Sequence, residues 1–267
     1  MIIIGILLIV AAVVCWFVGQ SAAGKAGEIL TVQTSQINNL RESADAVTET
    51  LGKGHYNEYT ELKGNAEFPE LLTSEMGGQD CVYYTTIVER EWEEEYWETN
   101  DEGKRERKHR RGSDTMSQQT RSVPFQLNDG TGKVWVDPKE AELELETIVD
   151  RFESEGSIRG EVKIGAFRFR IDGGRGGSRR TLGYRFKELI FPATPQRMYV
   201  LGRVTDSVGR DLTVTRPTDK GQRFLVSYKS EEELVSHAEG QAKLFKILAI
   251  LSGIAGIGFS IAELFVD

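Results

Sequence analysis

Glu89-Arg90-Glu91-Trp92-Glu93-Glu94-Glu95-Tyr96-Trp97-Glu98-Thr99-Asn100-Asp101-Glu102-Gly103-Lys104-Arg105-Glu106-Arg107-Lys108-His109-Arg110-Arg111 is the stretch on which the reading of this chain turns. From Glu89 to Glu102, eight carboxylates stand against the single Arg90. From Lys104 to Arg111, six cations stand against the single Glu106. Asn100-Asp101-Glu102-Gly103 between them is turn-forming. The pattern predicts a long hairpin with an acidic arm paired to a basic one. Opposite charges facing across strands contribute roughly 0.2–1 kcal/mol per pair. Trp92, Tyr96 and Trp97 are then expected half-buried on the acidic arm. With Lys104, Arg105, Arg107, Lys108, Arg110 and Arg111 they form the candidate partner-binding surface. A nucleic-acid patch of basic residues and aromatics is the competing reading. It is disfavoured because the acidic arm cancels the field and the domain is net negative.

Working outward, the neighbouring runs also follow a period of two. Tyr59-Thr60-Glu61-Leu62-Lys63, Cys81 to Val88, Lys133-Val134-Trp135-Val136, Arg197 to Val204 and Phe224 to Tyr228 are strand-forming. Asn128-Asp129-Gly130, Asp137-Pro138 and Asp172-Gly173-Gly174 are turn signals between them. The expected fold is therefore mainly β, an antiparallel sandwich or partly open barrel carrying the charged hairpin.

The 267 residues carry a formal charge of −8, with 39% hydrophobic residues and a mean hydropathy of −0.34. This excludes a disordered chain, a disulfide scaffold and a collagen-like repeat. The average conceals two apolar ends. Ile2 to Val18 is uninterrupted, and Ile2 to Ala23 as a helix covers a hydrocarbon core of roughly 30 Å. Ser21-Ala22-Ala23 resembles a signal-peptide cleavage site, but no basic residue precedes the run, so an uncleaved anchor is preferred. At the other end, Ser230 and Glu233 form a capping box. It opens a helix that runs into the apolar stretch Ile247 to Ala262. Ser252, Gly256 and Ser260 recur every fourth residue, a small-residue face for the first helix or for a second copy of the chain. Residues 1–24 and 230–267 thus hold the two transmembrane helices, flanking a β-rich domain at 54–229. Between them, 25–53 is an amphipathic helix, with Ile37, Leu40, Ala44, Val47 and Leu51 on one stripe. It is expected to extend the first anchor as a stalk. Lys25, Lys243 and Lys246 on the domain side point to a cytoplasmic domain on a two-pass protein of the cell membrane, Glu263 and Asp267 marking the other face.

Candidates for chemistry are sparse. Cys15 lies inside an apolar run and Cys81 inside a strand, so neither a disulfide nor a cysteine-rich metal site is expected. Cys81 reads as a buried structural thiol, and His55 as a loop or packing residue. Gly173-Gly174-Arg175-Gly176-Gly177-Ser178-Arg179-Arg180 lacks the lysine and the following helix of a phosphate loop, and reads as a hairpin loop before the strand Leu182 to Phe186. No catalytic residue, metal or cofactor is expected, and the chain is read as a non-enzyme.

The order of short motifs resembles the GIDE (beside-a-membrane) domain family, which includes the mitochondrial membrane-anchored ubiquitin ligases. The matching runs are Gly54-His55-Tyr56-Asn57-Glu58-Tyr59, Leu62-Lys63-Gly64, Leu72-Thr73-Ser74-Glu75, Cys81-Val82-Tyr83-Tyr84 and Val88-Glu89-Arg90-Glu91. They continue with Val123-Pro124-Phe125, Asp129-Gly130-Thr131-Gly132, Val136-Asp137-Pro138, Leu182-Gly183-Tyr184-Arg185-Phe186 and Tyr199-Val200-Leu201-Gly202. The resemblance implies a domain beside the bilayer that binds a protein or lipid partner. In the ligases a zinc-binding RING with eight Cys or His ligands follows the second helix. Those ligands are not found here, so the chain looks like a prokaryotic-type member, and ligase activity is expected only through a separate RING-like subunit. The ligases hold this domain in the intermembrane space, which is at odds with the cytoplasmic placement. The expected partners are the bilayer, an unidentified protein and, through the small-residue face, a second copy, with no nucleic acid.

Overall fold

The computed structural model describes residues 2–100, 103–158, 160–170, 179–194, 196–207 and 211–264, with 2 and 262–264 by backbone alone. The expected turn at 172–174, the glycine-rich loop through Ser178, Asp101 and Glu102 in the hairpin turn, and the side chains of Glu263 and Asp267 lie outside those residues. In chain order the elements are α1 (Ile2–Thr31), α2 (Ile37–Leu51), β1 (Asn57–Glu67), β2 (Leu72–Thr73), β3 (Asp80–Thr99), β4 (Arg105–Ser122), β5 (Phe125–Asn128) and β6 (Lys133–Val136). Then follow β7 (Glu142–Leu143), β8 (Glu146–Ser154), β9 (Glu161–Ile164), β10 (Phe167–Arg170), β11 (Arg179–Pro192), β12 (Arg197–Thr205), β13 (Thr213–Thr215), β14 (Leu225–Ser227) and α3 (Glu231–Leu264). The strand runs expected around Tyr59, Cys81, Lys133 and Arg197 fall in strands, and of the run from Phe224 to Tyr228 only Leu225–Ser227 is strand.

One sheet closes on itself. Strands β1, β5, β6, β13 and β12 pair in sequence, and β12 returns to β1 in an unbroken register from Asn57↔Thr205 to Asn65↔Arg197. This makes a small barrel, with β14 and β7 added beside β12. The pairings are antiparallel as expected, except for β6–β13 and β7–β14, which are parallel. Leu62, Phe125, Leu127, Val134, Val136, Val200, Val204 and Val214 fill the interior. Alternation along each strand puts them on one face while their polar neighbours face outward. Gly64 is required where β1 passes β5: a Cβ there would meet the Asn128 carbonyl oxygen at 2.6 Å.

The helix expected as a stalk is two helices. Helix α1 ends at Thr31, and residues 33–35 form an extended link to the barrel through Ser35 N–H to Glu61 O (2.9 Å) and Glu61 N–H to Gln33 O (3.3 Å). Helix α2 then packs its apolar stripe, Ile37, Leu40 and Ala44, into the barrel core. An amphipathic helix gains more from burying that stripe than from standing alone.

Two carboxylates hold α2 in place. Its N-cap, Gln36, makes no side-chain cap. Asp129, in the turn between β5 and β6, supplies one by accepting the Ile37 N–H at 2.8 Å, while its other oxygen accepts Thr131 and Gly132 N–H groups. Beyond the other end, Asp206 accepts the Gly54 N–H at 2.8 Å and the Tyr56 N–H at 3.0 Å. Desolvation works to raise both carboxyls, but these N–H donors outweigh it and hold both below the ordinary carboxylate value.

The two apolar helices run antiparallel against each other. A Cβ on Gly256 would lie 2.9 Å from both the Gly5 carbonyl oxygen and Ile9 Cγ1, and one on Gly19 would lie 3.4 Å from Phe245 Cβ. The small-residue face of α3 therefore meets α1 of the same chain at Gly256 and Ser260, with Ser252 half-buried. Both helices are long and apolar enough to cross a membrane, and their outward residues, such as Leu7, Phe17 and Ile254, are exposed. The capping box forms as read: Ser230 N–H donates to Glu233 Oε2 at 2.9 Å and Glu233 N–H to Ser230 Oγ at 3.3 Å.

The pinning of α2 has two measurable consequences. Asp129→Ala is expected to lower stability in urea unfolding by about 1–2 kcal/mol, the cost of a lost helix cap. Because Asp129 and Asp206 have depressed folded pKa values, their contribution is complete above the unfolded value of about 4 and is lost as pH falls through the folded values. Unfolding midpoints measured across acid pH should fall below about pH 4 and fall less steeply in Asp129→Ala.

Candidate functional site

The second sheet has the lateral order β8-β11-β3-β4, with short β2 beside the start of β3. Strand β3 has 20 residues, roughly 65 Å at about 3.3 Å per residue. It starts against the barrel, where Val82 and Phe191 enter the barrel core, and continues as a ribbon with β4. The hairpin pairs an acidic arm with a basic one as the charges predict, with Glu93 opposite Arg111, Glu94 opposite Arg110 and Trp97 opposite Arg107, the exception being Glu98, which stands opposite Glu106. Ion pairs join Arg110 to Glu94 (2.5 Å), Arg111 to Glu93 (3.6 Å), Arg107 to Glu95 and Lys108 to Glu98.

The acidic arm has a second basic neighbour that the hairpin reading missed. Strand β11 lies on its other side and brings Lys187 to Glu89 at 2.9 Å, Arg185 to Glu91 at 2.6 Å and Arg180 to Glu93 at 3.2 Å. Arg185 also reaches Asp150 of β8 at 2.8 Å. The sheet is therefore striped: mostly acidic β8, basic β11, acidic β3, basic β4. On the opposite face, Arg90 pairs with Asp114 at 2.6 Å and holds that carboxyl below its ordinary value.

The three aromatic candidates separate. Trp92 is 8% exposed, whereas Tyr96 is 38% and Trp97 66% exposed, so the expectation of three half-buried rings is corrected. Trp92 is buried because the Arg179 guanidinium lies 4.0 Å from its ring and because Gly112 stands opposite it. A Cβ on Gly112 would meet Trp92 Cζ2 at 2.5 Å. Tyr96 and Trp97 lie nearer the turn, where a narrow two-stranded ribbon has little to cover them. Arg110 sits 5.6 Å from the Tyr96 ring, within cation–π range. Along β4 the candidates Arg105, Arg107, Lys108, Arg110 and Arg111 are all exposed, as is Lys104 just before it.

Elsewhere the polar groups are structural. Glu188 is fully buried and accepts the N–H groups of Met76 and Gly77, which fixes the β2–β3 turn. Cys81 is buried, and burial, with the Glu188 carboxylate next, pushes its thiol up to about 11, away from nucleophilic reactivity. His55 is exposed. A polar pocket of about 320 Å³ lies beside the start of α3, lined by Lys63, Arg197, Tyr199, Tyr228, Lys229 and Glu231. Lys63 is already paired to Glu61 (2.8 Å) and Glu231 (2.5 Å), and Lys229 to Glu144 (2.9 Å). The Lys63–Glu231 pair ties α3 to the barrel. Glu28 does the same for α1 by accepting the Tyr59 hydroxyl at 2.5 Å and the Arg223 N–H at 2.9 Å.

Gly112→Val tests the packing of the ribbon. It should displace Trp92, shift tryptophan emission to longer wavelength and cost about 1–3 kcal/mol. Gly103→Ala, at a turn glycine with φ 77° and open space around it, should leave the emission unchanged.

Searches of the curated proteins and of the solved structures return no significant match. The sequence profile of the GIDE family, described as E3 ubiquitin ligase, matches residues 93–260. The match begins at the acidic arm of the ribbon, later than the Gly54 at which the motif resemblance starts, and it extends well into the apolar part of α3. Covering more than half of the chain, it establishes that this protein belongs to the GIDE family.

Proposed function

We propose that this chain is a two-pass membrane protein whose GIDE domain binds a partner protein beside the bilayer through the tip half of the ribbon. The single observation that carries this reading is the exposed Trp97, set opposite Arg107 at the tip of a ribbon whose base is fully ion-paired. Aromatic and arginine side chains together are the usual anchors of protein interfaces. Stability alone does not call for a projecting ribbon with an exposed tryptophan, because the barrel core lies elsewhere. On this reading the domain positions a partner and carries out no chemistry of its own. The positive-inside pattern of Lys25, Lys243 and Lys246 favours a cytoplasmic domain on a cell-membrane protein.

The family description favours a second reading, a component of a ubiquitin-like ligase system working with a separate RING-like subunit. Reconstitution with a conjugation cascade separates the two: transfer above a no-protein control supports the second reading.

The binding role is tested by shortening the ribbon symmetrically, removing 95–109 and closing Glu94 to Arg110 with an Asn-Gly turn. This keeps the pairs at the base and removes Tyr96 and Trp97. Crosslinking from native membranes should lose specific adducts relative to the intact chain, and an unchanged adduct set would refute the role of the ribbon. Liposome flotation of the two forms tells a lipid contact from a protein one.

A further inference from the structure

At its β4 edge the ribbon sheet could continue its alternation of charge. Strand β4 pairs with β3 on one side, and among the described residues no strand pairs with its other side. Alternate N–H and C=O groups of an edge strand point outward, as a template for a further strand. The register breaks between Val88 and Glu89, where Met116 is the extra residue on β4. That bulge turns the strand, so the regular open edge runs from Arg105 to Thr115.

The charges on this edge have room for a second acidic neighbour. Arg185 in β11, the other basic strand, shows what an inner position does. It lies between two acidic strands and pairs with both, Glu91 at 2.6 Å on one flank and Asp150 at 2.8 Å on the other. A guanidinium has five N–H donors, enough for two carboxylates. The arginines of β4 have an acidic strand on one flank only. The side chains of Arg110 and Arg111 remain 55% and 76% exposed, and Arg105 makes no ion pair among the described residues.

We infer that the open edge of β4 from Arg105 to Thr115 receives an extended acidic segment of a partner protein. That segment adds a strand to the sheet and continues its alternation of charge. Backbone pairing supplies affinity, and carboxylates at every second position reach Arg105 and Arg111 and supply selectivity. This names the chemistry of the partner and rests on the ribbon being the contact surface.

The test uses the full chain in nanodiscs of neutral lipid and a fluorescent peptide alternating glutamate with valine. Fluorescence anisotropy should show saturable binding that weakens with salt. Binding should weaken at least tenfold in Arg105→Glu, a variant that leaves the internal ion pairs in place. The same peptide with every backbone nitrogen methylated keeps its charge and cannot pair as a strand, so it should not bind. Equal binding of the methylated peptide, or binding of a lysine–valine peptide, would overturn the inference. So would docking of anionic vesicles that depends on Arg105 while the acidic peptide stays unbound. If the shortened ribbon loses its partner and the acidic peptide nevertheless fails to bind the intact chain, the ribbon's role stands and this inference alone falls.

Discussion

Everything in this molecule hangs on the pairing of β1 with β12, nine residue pairs joining segments some 140 residues apart in sequence. It closes the barrel, and it also sets the two apolar helices side by side. Helix α1 reaches β1 through only the extended link and α2, and α3 leaves the sheet just after β14. Ile29 of α1 and Leu234 of α3 meet Tyr199, Leu201 and Leu225 in one small cluster on the outside of the barrel. Burying these side chains at roughly 1.5–3 kcal/mol each makes helix pair and barrel one unit. With Glu28 and Lys63 pinning the same junction, the domain is held rigidly against its helices, so the ribbon projects from a fixed base.

The ribbon follows from a different constraint. A strand as acidic as β3 repels itself unless cations flank it, and the fold surrounds it on both sides. Glu89 and Glu91, nearer the barrel, are paired by Lys187 and Arg185 of β11, and Glu95 and Glu98, toward the turn, by Arg107 and Lys108 of β4. Each surface pair is individually worth little, with a median of about 0–1 kcal/mol, but the set is a network in which Glu93 and Arg185 each join two partners. A slip by one residue would turn each of these side chains to the opposite face of its strand and break the network, so the network favours the observed register. A rigid, neutralised base leaves the aromatic tip exposed at the far end.

Local features of the sequence were legible because their physics is local. The acidic arm, turn and basic arm lie within 23 consecutive residues, and Ser230 and Glu233 are three residues apart, so charge and spacing alone foretold both. The small residues of α3 were visible too, but sequence could not choose between α1 and a second copy as their partner. What escaped was long-range. Strand β11 is some 90 residues from the strand it neutralises, and a register shift at Leu182 hides its alternation. Asp129 lies 92 residues from the helix it caps. The break after Thr31 carries no proline or glycine signal, because it is set by the pairing of residues 33–35 with Glu61. Trp92 and Trp97 look alike in sequence, and only the opposing Gly112 and the stacked Arg179 separate them.

Hydrogen exchange measured peptide by peptide on the full chain in nanodiscs tests the central claim, a barrel-clamped helix pair carrying a ribbon whose strand β4 has an open outer edge. Slow exchange is expected through 57–65 and 197–205 and along β3, which is paired on both sides near its base. In β4, slow and fast amides should alternate from Arg105 to Thr115, since every second N–H points outward. Uniform protection of β4 would mean that its edge is already covered, and fast exchange in β1 and β12 would contradict the closed barrel on which the arrangement rests.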